Sequence, residues 1–252
     1  MMAFVRELSP LLERCELSYV ERLAIDGERA RHQHHAYVRE LESLGCQLAW
    51  LPALPEHADA VFVEDTAVVV PELTVITRPG ALSRRNEVES VASTLAPHTR
   101  LSRVREPGTL EGGDVLRIGR ALYVGVSRRT NADGVAQLAS ALAPFAYSVQ
   151  AVSMQGCLHL KSAVTFIAPD TVLVNPQWVD PALFGARNVV HVAAEEPFGA
   201  NTLTVNGVTL VSADYPRTRE RLEGSGITTR ALQITELHKA EAALTCMSLI
   251  FG

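Results

Sequence analysis

The sequence predicts an α/β fold in which strand–strand–helix–strand units recur around a propeller-like ring. Three features predict it. Four pairs of short apolar runs are each split by a turn dipeptide, and each pair is followed by a helical candidate and one more strand-like run. The units recur about every 40–50 residues, within the range of propeller-like arrays. The parts left over at the two chain ends supply a fifth unit.

The first segment, residues 5–44, reads as helical or irregular, with an amphipathic helix from Gly27 to Leu44 stopped by Gly45. Cys46–Leu51 follows as a strand ended by Pro52. The paired runs are Ala67–Thr77 around Pro71-Glu72, Val115–Val126 around Gly119-Arg120, Val164–Asn175 around Pro169-Asp170, and Leu203–Ala213 around Asn206-Gly207. The last of these is the strongest short hairpin signal in the chain. Helices are expected at Ser83–Leu95, Asn131–Leu142, near Pro181–Phe184 and at Pro216–Glu223. The closing strands are Arg100–Val104, Ser148–Val152, Asn188–Val192 and Thr228–Leu232. The apolar run Ala243–Phe251, the initial strand Ala3–Arg6, the Gly27–Leu44 helix and the Cys46–Leu51 strand have the same order, cut by the termini. Closing a ring in this way removes exposed sheet edges. With no linker or low-complexity stretch, a single domain over residues 1–252 is expected.

The 252 residues are 47% hydrophobic and 20% charged, enough apolar material for a sizeable core. The net charge of −5 and the scattered Lys and Arg give no nucleic-acid footprint. Arg217-Thr218-Arg219-Glu220-Arg221 reads as a solvated helix face. No apolar run reaches the roughly 18 residues of a membrane span. No signal-peptide core follows Met1, and the four widely spaced cysteines suit a reducing cytoplasm.

Chemistry-bearing residues fall at equivalent points, just before or inside the first strand of successive units. Unit one is introduced by Asp59 to Asp65, unit two has Leu110-Glu111-Gly112-Gly113-Asp114, and unit three has Cys157-Leu158-His159-Leu160-Lys161-Ser162. Unit four has Gly199-Ala200-Asn201, and unit five has Cys246, expected on the last strand. A ring of units brings these points to one axis. Thiol, imidazole and carboxylate together make an activated nucleophile. Several acids in one cavity favour a cationic substrate, and a guanidinium fork suits them.

Each residue also has a plainer reading. A cysteine in an apolar run is usually a small buried hydrophobe. His159 between two leucines reads as a core histidine, and Glu-Gly-Gly-Asp as a tight turn whose glycines admit positive φ. Glu64-Asp65 reads as an exposed turn, although Asp65 interrupts an apolar run. His32, His34 and His35, with no matched acid, read as surface residues rather than a metal site. Cys157 and His159 at i,i+2 spacing supply too few ligands for zinc.

Taken together, Val61-Phe62-Val63-Glu64-Asp65, Ile76–Ala81 with Ser83-Arg84-Arg85, Leu110–Val115, Arg129-Thr130-Asn131, Leu158–Ser162, Tyr215–Arg219 and Leu244–Leu249 are similar to the dimethylarginine dimethylaminohydrolase family of the guanidine-modifying (pentein) superfamily. The likeness spans roughly residues 30 to 252. It implies a five-bladed α/β propeller that hydrolyses Nω-methylated arginine, a small-molecule substrate, to citrulline plus methylamine or dimethylamine. By resemblance, Cys246 is the nucleophile, His159 the general acid/base and Glu111 its paired carboxylate. Glu64 and Asp65 would hold the guanidinium. Arg84 and Arg129 would take the α-carboxylate and Asp59 the α-amino side, with main-chain groups of Leu17, in a lid loop, and Ala240 completing the pocket. No metal, no other cofactor, no nucleic acid and no membrane partner is implied, and a homodimer is compatible. Residues 7–26 depart from the family lid, Ala240 replaces a larger apolar residue, and Gly199-Ala200-Asn201-Thr202 replaces Ala-Ala-Asn-Cys. Arginine deimination, amidino transfer, or silent binding of a guanidinium ligand are the alternatives on the same scaffold.

Overall fold

A computed structural model describes residues 1–251. It contains five three-stranded sheets of one topology. In each, a central strand pairs antiparallel with the strand on the axis side and parallel with an outer strand reached through a helical crossover. Unit one comprises Ala67–Val70, Leu73–Ile76, the helix Glu87–Leu95 and Leu101–Arg103. Unit two comprises Val115–Ile118, Ala121–Val126, the helix Ala132–Leu142 and Ser148–Ser153. Unit three comprises Val164–Ala168, Thr171–Val174, the 3-10 turn Pro181–Phe184 and Asn188–His191. Unit four comprises Leu203–Val205, Val208–Ser212, the helix Pro216–Gly224 and Thr229–Leu232.

The fifth unit joins the two ends of the chain. Leu249–Phe251 pairs antiparallel with Met2–Val5, in the register Met2 with Phe251 and Phe4 with Leu249. Met2–Val5 then pairs parallel with Gln47–Trp50 after the helix Gly27–Ser43. The first strands of units five and one, two and three, and three and four pack against each other, and so do the turns that precede units one and two. The architecture is the five-bladed α/β propeller.

Local chemistry accounts for the element ends. The Asp26 side chain caps the long helix by accepting from the Glu28 and Arg29 amides, and Asn131 caps its helix through the Gly134 amide. Asn206 and Gly207 both have positive φ, as a two-residue hairpin turn matching strand twist requires. The helices lay Leu95, Leu138, Leu142 and Leu222 inward, each fully buried.

Three local expectations change. Ser83–Leu95 is not one helix, because Leu82–Arg84 forms a separate 3-10 turn that sends Arg84 into the interior before the helix begins at Glu87. Residues 244–247 are a turn rather than part of the last strand, which begins at Leu249, so Cys246 stands on a loop. The segment is apolar because it is buried, with Leu244 and Met247 at 0% exposure, and its polar atoms bond to other units instead of to a sheet ladder. His34 is also fully buried rather than at the surface.

Candidate active site

Four of the five stations are loops or turns immediately preceding a first strand, and the fifth, Cys246, lies in a turn three residues before its strand. Glu64 and Asp65 sit in the 3-10 turn Val63–Thr66, and Glu111 precedes the 3-10 turn Gly112–Asp114. His159 precedes the single helical turn Leu160–Ala163, and Asn201 lies just ahead of Leu203–Val205. Turns suit this task because their side chains can point along the axis, whereas strand side chains point to the sheet faces.

A buried cavity of about 20 Å³ lies where these turns converge. It is lined by Cys246, His159, Asp65, Asp59, Arg84 and Arg129, with Ala240, Glu241 and Glu16 at its margin. The structure therefore brings together seven of the residues singled out from sequence. Glu111 stands directly behind them: its Oε2 lies 2.7 Å from His159 Nε2, and its Oε1 accepts from the Gly80 amide and lies 3.5 Å from Arg129 Nη1.

Glu64 and Leu17 are not brought into the cavity. Glu64 turns to the opposite end of the axis, where it pairs with Lys161 and accepts a 2.6 Å hydrogen bond from Thr245 Oγ1. Adjacent residues in a tight turn cannot share a face, and Asp65 already points inward to Arg84. Leu17 packs half-buried on the apolar core beside the long helix, while its neighbour Glu16 reaches the cavity and donates its amide to both Asp59 carboxylate oxygens at 3.2 Å.

Asp65 is the hub. Its Oδ2 accepts from Arg84 Nη1 at 2.6 Å, its Oδ1 accepts from the Gly113 amide at 3.0 Å, and Oδ1 lies 3.8 Å from His159 Nε2. Arg84 also donates to Glu87 and to the carbonyls of Phe62 and Asp59. The two glycines of Glu111-Gly-Gly-Asp114 are needed for space rather than for positive φ. A Cβ on Gly112 would lie 2.0 Å from the Glu64 carbonyl oxygen, and one on Gly113 would lie 2.6 Å from His159 Nδ1 and 2.8 Å from Asp65 Oδ1.

The electrostatics separate the acid from the thiol. Burial by itself would lower the His159 imidazolium, but Asp65, the Glu111 hydrogen bond and Asp114 outweigh it and raise the group to about 9. Burial likewise opposes ionisation of Glu111, yet the His159 hydrogen bond, with the charges of His159, Arg84 and Arg129, holds it down at about 2. Burial pushes the Cys246 thiol well above its ordinary range, and the charges of Glu64 and Asp65 push it further. Burial also raises Asp59 to about 6, against the pull of Arg84.

Several supporting residues were not assigned roles from sequence. Asp114 accepts from the Leu160 amide and from Ser127 Oγ, fixing the backbone beside His159; the motif that contains it was the signal. Asn201 accepts from the Thr245 amide and donates to Thr245 Oγ1, which fixes the residue before Cys246. Glu241, at positive φ next to Ala240, accepts the Ser18 and Tyr19 amides and so fastens residues 16–19 over the cavity. No sequence signal marks it. Asp65, Glu111 and His159 also lie close enough to share a metal ion, but Arg84 and Arg129 already face those carboxylates.

Comparison with known proteins bears directly on this geometry. The arginine deiminase family model matches residues 52–196, more than half of the chain. The N(G),N(G)-dimethylarginine dimethylaminohydrolase of Streptomyces coelicolor is 39% identical, covering 98% of this chain and 95% of that one. The chain belongs to the dimethylarginine dimethylaminohydrolase family. The enzyme of that name from Pseudomonas aeruginosa is 34% identical over 90% of each chain. A solved structure of the Pseudomonas aeruginosa protein, a cysteine-to-serine variant complexed with citrulline, superposes with a TM-score of 0.94 at 31% identity over the whole of both chains. Among the described residues no helix is long and apolar enough to cross a membrane.

Proposed function

We propose that the protein hydrolyses Nω-methylated arginine to citrulline and methylamine or dimethylamine, as a single catalytic domain acting in a reducing compartment. The carrying observation is the convergence of Cys246, His159 and Asp65 on one cavity, with Glu111 bonded to the imidazole. The names of the family relatives supply the substrate class.

In the resting site the thiol is protonated and the imidazole charged, for the reasons given above. A guanidinium entering beside Asp65 supplies the positive charge that stabilises the thiolate, so Cys246 releases its proton to solvent only when substrate is present. The thiolate attacks the guanidine carbon. His159 gives its proton to the methylated nitrogen, the C–N bond breaks, and the amine leaves. A planar thiouronium remains on Cys246. Water attacks it, His159 takes one of its protons, the C–S bond breaks, and the remaining hydroxyl proton passes to the departing thiolate, which leaves citrulline and the resting thiol. Glu111 orients His159 and stabilises its charged form.

Arg129, Arg84 and Asp59 bind the amino-acid end, with the Ala240 main chain alongside. Glu64 supports the site from behind through Thr245 and Lys161. A cavity of about 20 Å³ is the size of a single water, so residues 16–19, Leu17 among them, must withdraw to admit substrate and then close over it.

The test is citrulline formation from asymmetric dimethylarginine, monomethylarginine and arginine in parallel. Preference for the methylated substrates is expected. Plain arginine as the preferred substrate, the reading that the arginine deiminase family model favours, would overturn the assignment. The Cys246→Ser variant should bind dimethylarginine without turning it over.

A further inference from the structure

A second cluster of metal-ligating side chains lies outside the catalytic cavity, on the face of the long helix. Glu7, two residues past the Met2–Val5 strand, meets His34 and His35 of the helix Gly27–Ser43. One ligand atom from each lies within 4.8 Å of the other two. Glu7 is distant in sequence from the adjacent pair His34-His35 and meets it only because the fifth blade packs its helix against the strand that begins the chain.

Two observations separate this cluster from a chance surface pairing. His34 has 0% exposure, and neither ring nitrogen has a hydrogen-bond partner among the described residues. Buried polar atoms are almost always paired, so a fully buried imidazole with both nitrogens orphaned calls for a ligand. Independently, His35 Nε2 already lies 3.2 and 3.3 Å from the two Glu7 carboxylate oxygens, both side chains being about half exposed. Tetrahedral zinc with bonds of about 2.0–2.1 Å sets its ligand atoms about 3.4 Å apart. The Glu7–His35 pair has that separation, and a His34 ring nitrogen lies within 4.8 Å of both ligand atoms.

We infer that Glu7, His34 and His35 form a binding site for a divalent transition-metal ion, Zn²⁺ being the best match to two imidazoles and one carboxylate. The fourth position opens to solvent between Glu7 and His35 and takes water. The ion ties the strand's exit to the helix at the root of the segment leading to residues 16–19, so its effect is on stability rather than chemistry. Trp50, whose ring lies edge-on to His34 at 6.3 Å, is an internal reporter.

The test is equilibrium dialysis of the full chain against Zn²⁺, with thermal melts, for the wild type, His35→Ala, Glu7→Gln and Cys246→Ser. His35 and Glu7 are partly exposed, so their variants should fold, and circular dichroism verifies this. One equivalent bound per wild-type chain is expected, with affinity at least tenfold lower in His35→Ala and Glu7→Gln, unchanged in Cys246→Ser, and a Zn²⁺-dependent rise in Tm lost in the first two. Co²⁺ substitution should give a tetrahedral visible spectrum without thiolate charge transfer. The inference is overturned if the wild type binds no stoichiometric Zn²⁺, if His35→Ala and Glu7→Gln bind it as the wild type does, or if the bound equivalent disappears in Cys246→Ser.

Discussion

The two ends of the propeller axis carry adjacent carboxylates with different tasks. At the closed end, Asp65 faces a cavity of about 20 Å³ crowded with Asp59, His159, Arg84 and Arg129. At the other end, Glu64 faces a wide cavity of about 600 Å³ walled by first-strand residues such as Val68, Val115, Thr165 and Thr204. Glu64 is matched there by Lys161 and Thr245, so its charge is satisfied within the protein. Asp65 is shared between Arg84 and the imidazolium, in a cavity whose surplus of acid suits a cationic guest. One turn thus gives the site its electrostatic pull on one side and its structural floor on the other.

Exchanging charges across this divide tests it, and the largest effect falls on Asp65. Asp65→Ala should lower kcat/KM by about 10³-fold, the scale of losing a preorganised charge at the reacting centre, while Glu64→Gln should stay within about tenfold. Equal losses in steady-state assays would erase the distinction between the two ends.

Glu111→Gln should lower kcat by about 10²-fold and move the pH profile. His159 sits at about 9 partly through Glu111, so wild-type kcat/KM should fall as pH rises through about 9, and the variant's falling limb should lie at lower pH. The linkage has a definite sign: a raised imidazole contributes stability that is complete below its ordinary value of about 6.5 and is lost as pH rises through about 9. Denaturant melts should therefore show Glu111→Gln further below wild type at pH 6 than at pH 10.

The glycine that separates the two ends is the next probe. Gly112→Ala forces a Cβ against the Glu64 carbonyl and should cost about 1–3 kcal/mol of stability, read as a lower Tm. The smallest effect belongs to the fastening over the closed end. Glu241→Ala frees the Ser18 and Tyr19 amides and should raise KM severalfold with little change in kcat.

The repeat was legible in the sequence because hairpins with turn dipeptides recur along it, and the stations were legible because polar residues interrupt apolar runs at matching points. What stayed hidden is set by tertiary contacts. Nothing local distinguishes the Cys246 turn from a strand, since Asn201 and Glu64, from other blades, hold Thr245 in place. The opposite orientation of Glu64 and Asp65 depends on Lys161 and Arg84 arriving from different units. Glu241 acts through amides of residues 18 and 19, and His34 looks like a surface histidine until the fifth blade closes over it.

The covalent step is the most direct test of the catalytic account. Acid-quenched turnover of dimethylarginine, followed by mass spectrometry of the peptide bearing Cys246, should reveal a thiouronium adduct on that cysteine in the wild type and none in Cys246→Ser. Steady citrulline production with an unmodified Cys246, or undiminished production by Cys246→Ser, would contradict it.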